Sequence, residues 1–387
     1  MDVNIKERVA AFLAEHDPDG DRLEFLRARF DAGLAWVWFP EGLGGLGAPR
    51  ELQSVVEREL AGTPQLNAGV QAIGLGMAAP TILAFGTEEQ KRRFLRPLWT
   101  GEEIWCQLFS EPGAGSDLAT LATRAVRDGD EWVVDGQKVW TSGAHHARWA
   151  ILVARTDPDV PKHRGLTYFV CDMHAPGVEV RPLRQITGEA EFNEVFLTGV
   201  RLPDDLRLGE VGDGWRVAQT TLMNERVAIG GAPVARGGGM VGVVLDAWRA
   251  RPELRTHDLH QRLLSLWVES EVTRLSGVRL REQLAAGHPG PEGSGMKLSF
   301  AKLNQALSGF EVEFARDLGY DDDWTFRRSE GVDFYGRGRG YRYLRAKGNS
   351  IEGGTSEILR NIISERVLGL PSEPRVDKDV PWKDLPR

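Results

Sequence analysis

The chain predicts an α+β protein in three successive parts: a helical domain over residues 1–104, an antiparallel β-barrel domain over 105–210 and a helical bundle over 211–370, followed by a polar tail over 371–387. Three observations carry this. Apolar residues recur at helical spacing in the first part, where Ile5, Val9, Phe12 and Leu13 fall on one face. From about Ile104 to Arg201 the spacing changes to period two, in short apolar runs between turn signals. Helical spacing then returns, with Val268, Val272 and Leu275 on one face and Phe310, Phe314 and Leu318 on another.

In the first part, Thr87 before Glu88, Glu89 and Gln90 is a helix start, and Phe94 and Leu95 continue an apolar face. Gly42-Leu43-Gly44-Gly45-Leu46-Gly47 matches G-x-G-x-x-G, but Pro40 precedes it and the surroundings are helical. A dinucleotide loop must follow a parallel strand and open a βαβ unit, so this is a loop between helices. In the β part, Trp132-Val133-Val134 lies between Asp128-Gly129-Asp130 and Asp135-Gly136. Trp149–Ala154, Leu166–Val170, Val178–Val180 and Phe192–Leu197 follow. No helices of 10 to 15 residues separate these strands, so a small antiparallel barrel is expected rather than a parallel sheet. The stretch from Val200 to Trp215 leads back into helices. Gly287–Gly295 reads as a helix-to-helix loop, and Asp321–Tyr341 as an irregular insertion.

A length of 387 residues suits one large unit or two to three subdomains, and 41% apolar residues suffice for a real core. The net charge of −8 gives no reason to expect a nucleic-acid partner. Cys106 and Cys171 form neither a disulfide framework nor a metal-type cluster, which points to a reduced, cytoplasmic compartment. His145 and His146 lack a third ligand at a sensible spacing, so no metal is expected. No apolar run approaches a membrane span, and no signal-peptide pattern is present.

The chain is organised around Leu108-Phe109-Ser110-Glu111-Pro112-Gly113-Ala114-Gly115-Ser116-Asp117-Leu118. Gly113 and Gly115 allow backbone shapes that a Cβ forbids, and Pro112 stiffens the entry. Such a loop leaves N–H groups and two hydroxyls to grip a flat polar ligand or an anion. An ordinary surface turn has the same composition. Lys138-Val139-Trp140-Thr141-Ser142-Gly143-Ala144 follows it. With both stretches the chain resembles the acyl-CoA dehydrogenase family, which carries a T/S-E-P-x-A-G-S-D loop and a K-x-W-x-T/S strand over its flavin. Gly86–Lys91 and the Leu208–Trp215 segment extend the resemblance, which runs to about Leu370.

The resemblance implies an FAD-dependent enzyme that oxidises an acyl-CoA thioester at the α–β bond to the trans-2-enoyl-CoA. A carboxylate takes the α-proton, flavin N5 takes the β-hydride, and hydrogen bonds receive the charge growing on the thioester oxygen. Leu108, Ser110, Trp140, Thr141, Ser142, Thr355 and Glu357 are implied at the flavin, and Ser116 at the pantetheine of CoA. Thr355 also suits the N-cap of a helix containing Ile358, Ile362 and Ile363. The base of much of the family is the Glu of a Y-E-G-T-S segment. Here the chain reads Ile351-Glu352-Gly353-Gly354-Thr355-Ser356, with Gly353 at that position and Glu352 one residue early. Isovaleryl- and long-chain-type members carry the base in an upstream helical E-R pair, matched by Glu225-Arg226. The resemblance therefore favours Glu225 as base over Glu352, and leaves Gly353 to supply a backbone N–H to the thioester oxygen.

The family's R-x-x-F-G and Q-x-x-G-G-x-G motifs, which hold the ADP part of FAD across a subunit boundary, are absent. Trp248–Leu254 and Gly319–Trp324 stand where they are expected. The resemblance accordingly implies either a homodimer or homotetramer that grips ADP with other residues, or an α2β2 heterotetramer with a related chain. Electron-transferring flavoprotein is the implied electron acceptor. A non-catalytic subunit, and a flavin oxidase or monooxygenase on the same fold, are the alternative readings. A helix-borne base goes with branched, long or bulky acyl groups.

Overall fold

Helix starts in the first part are fixed by side-chain caps. The computed structural model describes residues 4–230, 234–285, 291–316, 324–329, 337–375 and 377–386. Asn4 caps α1 (Ile5–Glu15) by accepting from Glu7 N, and Asp21 caps α2 (Arg22–Asp31) through Glu24 N. The predicted face of α1 is inward: Ile5, Val9 and Phe12 are buried, and Phe12 meets the Phe25 ring edge-on at 5.1 Å. After α3 (Gln53–Glu59), α4 (Ala68–Ile73) and α5 (Ala79–Phe85), Thr87 opens α6 (Glu88–Thr100) with a capping box. Gln90 N donates to Thr87 Oγ1 at 3.2 Å and Thr87 N to Gln90 Oε1 at 2.8 Å. The glycine-rich run lies between α2 and α3. Gly44 has φ +85°, and a Cβ there would stand 2.5 Å from the Phe30 ring. These glycines serve a tight packed turn, not a phosphate loop.

The strands are β1 (Trp105–Leu108), β2 (Arg124–Asp128), β3 (Glu131–Ser142), β4 (Trp149–Arg155), β5 (Leu166–Asp172), β6 (Val178–Pro182), β7 (Phe192–Pro203) and β8 (Arg207–Leu208). They order as β6-β7-β3-β2-β4-β5-β8, with β1 against β4. The expected antiparallel barrel is corrected in one respect: the sheet is mixed. β1 runs parallel to β4, pairing Trp105 with Trp149 through Leu108 with Leu152, and β2 meets β4 parallel at Arg124 and Arg155. A parallel pair needs a long crossover, and the β2–β3 hairpin lies inside the one between β1 and β4. Every residue of β4 is buried, which explains its unbroken apolar run Trp149–Ala154. A second correction concerns Val200–Pro203, which does not lead into helix but extends β7 along β3, with Leu202 opposite Trp132.

Two units divide the chain. One comprises Met1–Leu183, Glu191–Thr221 and Asp377–Arg387, the other Arg184–Ala190 and Leu222–Val376. The polar-tail expectation therefore needs correction over 377–386. Trp382 N donates to Val160 O at 2.9 Å, and Pro381 pairs with Pro161.

The second unit holds the end of α7 (Gly214–Gly230), then α8 (Met240–Ala250), α9 (His257–Ala285), α10 (Gly293–Ala315), α11 (Arg339–Ala346) and α12 (Ser356–Ile362). Phe310 and Phe314 are buried as expected, and Leu318 lies outside the described residues. Val268, Val272 and Leu275 do share a face of α9, but that face is more than half exposed in the single chain. Periodicity locates an apolar face without saying what covers it. The predicted loop Gly287–Gly295 ends inside α10, and α11 begins inside the predicted insertion Asp321–Tyr341, of which residues 321–323 and 330–336 lie outside the described residues.

Candidate functional site

The structure brings the two singled-out stretches together. Val139 N donates to Ser110 O at 2.9 Å, which sets the loop against β3. The loop closes on itself through reciprocal bonds between Glu111 and Ala114, both 3.0 Å. Beneath it the Lys138 side chain is fully buried. Its ammonium donates to Glu111 Oε1 at 2.9 Å, Phe109 O at 3.0 Å and Val153 O at 2.9 Å. Glu111 also accepts from Ala122 N at 2.6 Å and Thr123 N at 2.9 Å. Burial works to raise the Glu111 carboxyl, but the Lys138 charge and these donors together hold it below the usual range. Burial lowers the Lys138 ammonium despite Glu111. Sequence reasoning quoted both residues within their motifs but gave neither side chain a role. The signal was a lysine in a strand, between Gln137 and an apolar pair, together with a Glu inside a turn of small residues.

Gly113 and Gly115 do not have the role expected of them. Neither has a positive φ, and a Cβ at either would meet nothing within 4 Å. The loop's outer side is simply bare, and Ser116 on it is exposed. The unusual backbone is at Trp140, with φ +60° and 56% exposure. It sits where the β3–β7 register slips between Lys138 and Thr141. Few non-glycine residues hold such a φ, and those that do cluster at working sites. Phe192 meets its ring edge-on at 5.7 Å. Next to it, Thr141 is buried and its Oγ1 has no hydrogen-bond partner among the described residues, while Asn193 Nδ2 donates to Thr141 O at 3.0 Å. An exposed aromatic ring, a buried hydroxyl in want of a partner and the half-buried Ser110 and Ser142 fit a flat heteroaromatic cofactor with polar edges. Leu108 is fully buried, its side chain packed in the sheet core.

The second unit carries the other expected residues. Gly353 and Gly354 both have positive φ, +59° and +93°, in the loop ahead of α12. Lys297, buried on α10, donates to Asn349 O and Gly354 O, both at 2.7 Å, and so ties the two ends of this loop. Glu352 accepts from both guanidinium nitrogens of Arg345, at 3.0 and 2.8 Å, and from Asn349 Nδ2 at 2.7 Å. Asn304 Nδ2 in turn donates to Asn349 Oδ1 at 2.6 Å. Thr355 is the N-cap of α12, accepting from Ile358 N at 3.2 Å, and the exposed Glu357 pairs with Arg360 at 3.3 Å. Glu225 and Arg226 lie on α7, and their side chains are outside the described residues. Trp248, where an ADP-binding motif was sought, packs against Phe314 at 5.0 Å and stacks on His260 at 5.9 Å. Most of Gly319–Trp324 is outside the described residues. His145 contacts Asn193 at 3.3 Å and meets His146 edge-on at 4.6 Å.

A helical part, a mixed sheet with an exposed aromatic ring beside a polar turn, and a helical bundle make up the frame of the site. The chain belongs to the acyl-CoA dehydrogenase family. Its N-terminal, middle and C-terminal domain families match residues 4–102, 106–200 and 212–368. FAD is the family's cofactor. Acyl-CoA dehydrogenase FadE34 of Mycobacterium tuberculosis is 42% identical over 88% of this chain, which spans only 45% of that relative's length. Acyl-CoA dehydrogenase IpdE1 of the same organism is 38% identical over 93% of this chain and 90% of its own. The solved "Tcur3481-Tcur3483 steroid ACAD" has a TM-score of 0.73 at 26% identity, covering 95% of this chain and 97% of that one. The ChsE4-ChsE5 complex from Mycobacterium tuberculosis has a TM-score of 0.71 at 28% identity, with coverages of 95% and 97%. No helix among the described residues is long and apolar enough to cross a membrane.

Proposed function

We propose that this chain dehydrogenates an acyl-CoA thioester at the α–β bond, with Glu225 as the base. FAD, when bound, supplies the hydride acceptor. Ser110, Trp140, Thr141, Ser142, Thr355 and Glu357 would hold it, and the Thr141 hydroxyl would gain there the partner it lacks among the described residues. Ser116 takes the pantetheine arm. Glu225 removes the α-proton with Arg226 beside it, and the Gly353 N–H donates to the thioester oxygen as its charge grows. The observation that carries this reading is the engagement of Glu352. Its carboxylate is spent on Arg345 and Asn349, so the alternative base is already a structural ligand of its own loop.

An acyl group of bulk suits a site where Gly353 replaces a Glu side chain, and one structural relative is described as a steroid ACAD. Electron-transferring flavoprotein is the proposed acceptor, and the cytoplasm the proposed compartment. A second reading, a chain that shares its site with a related partner, is favoured by Trp248. The aromatic core it enters occupies the segment where an ADP-binding motif was sought. Two structural relatives carry paired names.

The test is the absorption spectrum of the purified chain, its native mass, and bleaching by acyl-CoAs from butyryl to polycyclic. A yellow protein with one FAD per chain, bleached by bulky thioesters, supports a self-sufficient dehydrogenase. A colourless protein that becomes yellow and active only with a co-purifying related chain supports the shared site. A flavin-loaded protein bleached by no acyl-CoA overturns the reading.

A further inference from the structure

We propose that residues 377–385 are a strap that fixes the Ser116–Asp117 end of the loop, and so positions it for the pantetheine arm of acyl-CoA. This rests on the reading of Ser116 as a CoA contact. The two ends of the loop are anchored differently. At the Ser110 end, the Lys138–Glu111 pair does the work from within the sheet. At the other end, the 3₁₀ turn Leu118–Thr120 follows directly on Ser116 and Asp117 and presents a row of backbone carbonyls.

Those carbonyls are taken up by two side chains. Arg155, buried at the end of β4, donates to Ala119 O at 2.6 Å and Leu121 O at 3.0 Å. Trp382 Nε1 donates to the carbonyl between them, Thr120 O, at 3.0 Å. The Trp382 ring lies under the Arg155 guanidinium, 4.3 Å from its centroid, so the strap also holds the arginine that holds the turn. Asp117 itself is tied in the same direction. Lys162 Nζ donates to Asp117 Oδ2 at 2.6 Å and also to Asp377 Oδ2, joining the loop to the strap through one largely buried ammonium. The strap is seated by its own backbone as well: Trp382 N to Val160 O at 2.9 Å and Lys383 N to Pro158 O at 3.1 Å. Lys383 pairs with Asp159 at 2.6 Å.

The middle of the loop, from Pro112 to Ser116, has only the Ala114 side chain buried. Its position is therefore set by its two ends. Asp377, Trp382 and Lys383 make these bonds to Lys162, Thr120, Val160, Pro158 and Asp159, so the strap acts on the loop by position.

The experiment uses the full-length holoenzyme with Trp382→Ala, Trp382→Phe, Asp377→Asn and wild type. Steady-state kinetics with the best acyl-CoA are combined with amide hydrogen exchange of residues 116–121 in the same preparations without substrate, and with thermal unfolding. Trp382→Ala is expected to raise KM about tenfold or more with kcat within about twofold, and to speed exchange at 116–121. Trp382→Phe keeps the ring under Arg155 and is expected to recover part of the KM, and Asp377→Asn to raise KM less. An unchanged KM with unchanged exchange overturns the strap. So does an equal loss of kcat and thermal stability with KM unaltered, which marks a merely structural role. A wild-type protein that no acyl-CoA reduces overturns the functional reading instead, and exchange at 116–121 still decides whether the strap holds the loop.

Discussion

Arg345 and Glu352 meet guanidinium to carboxylate at two points, 3.0 and 2.8 Å, with the arginine side chain 4% and the glutamate 30% exposed. A carboxylate held this way stabilises its loop and is poorly placed to leave it for a substrate proton. Glu352→Gln should therefore keep the rate of flavin bleaching by acyl-CoA within about threefold, since general-base loss costs about 10²–10⁴ and a hydrogen-bonding isostere costs little. It should lower stability by about 1–3 kcal/mol, because buried Arg345 loses a charged acceptor. Glu225→Gln should do the reverse, with bleaching slowed by about 10²–10⁴ and stability nearly unchanged. Stopped-flow reduction and thermal unfolding of both variants decide it. A Glu352→Gln protein as inactive as Glu225→Gln sinks the assignment.

Trp140 carries strain on a residue that is mostly exposed, so its ring is kept for something other than the core. Trp140→Gly relieves a positive φ worth about 1–2 kcal/mol and sacrifices little burial. The expected result is a thermal midpoint no lower than wild type together with FAD affinity reduced about tenfold or more, read by flavin fluorescence titration. A variant that melts early and binds FAD normally would reverse the interpretation.

Asp204 is the clearest acid-sensitive group. It accepts from Arg207 at 3.0 and 3.2 Å and from Trp132 Nε1 at 2.7 Å, and these bonds bring its carboxyl down to about 2 from 3.8. A carboxyl whose folded value lies below its unfolded value adds stability above the unfolded value. That stability is lost as pH falls through the window between the two. Asp204→Asn should therefore cost up to about 1 kcal/mol at pH 6, the group being near solvent, and only a small part of that near pH 2. Melting curves across that range test it, and a difference independent of pH contradicts it.

Cys106 and Cys171 flank Ala150 from opposite sides, on β1 and β5. Two strand spacings, roughly 10 Å, exceed the reach of a disulfide. Burial pushes the Cys171 thiol up to about 12 and the Cys106 thiol well above its ordinary value, with Cys171 a second influence on it. Because the thiolate is the reactive form, an aromatic disulfide reagent should titrate no thiol in the native protein at pH 8 and both after denaturation. Rapid reaction of either thiol in the folded chain would show that the sheet core opens.

Features set by local rules were legible in the sequence. The Thr87 and Thr355 caps, the buried face of α1 and the cores of β3, β4, β5, β6 and β7 needed only neighbours within a few residues. Partners distant in sequence were not. Nothing local to Trp105–Leu108 announces a parallel neighbour beyond a whole hairpin. Periodicity gave Val268, Val272 and Leu275 a common face but not its exposure. The two flavin-type stretches were found as motifs, yet the Glu111–Lys138 pair that joins them was not, since a buried charge is visible only once its counter-charge is placed. Trp382 was hidden for the opposite reason: one tryptophan among Asp, Lys and Pro looks like tail until its acceptor at Thr120 is known.

That docked tryptophan has a consequence for how the chain is made. Unit 1 draws on residues 377–385, yet the ribosome adds them only after the whole of Leu222–Val376. Until then the nascent sheet waits with Thr120 and Val160 carbonyls facing water and Arg155 without its aromatic cover. Domains that emerge first usually finish first. Here the earlier-made unit cannot close until the whole of Leu222–Val376 has been made, so a chain stalled before residue 377 carries an open seam.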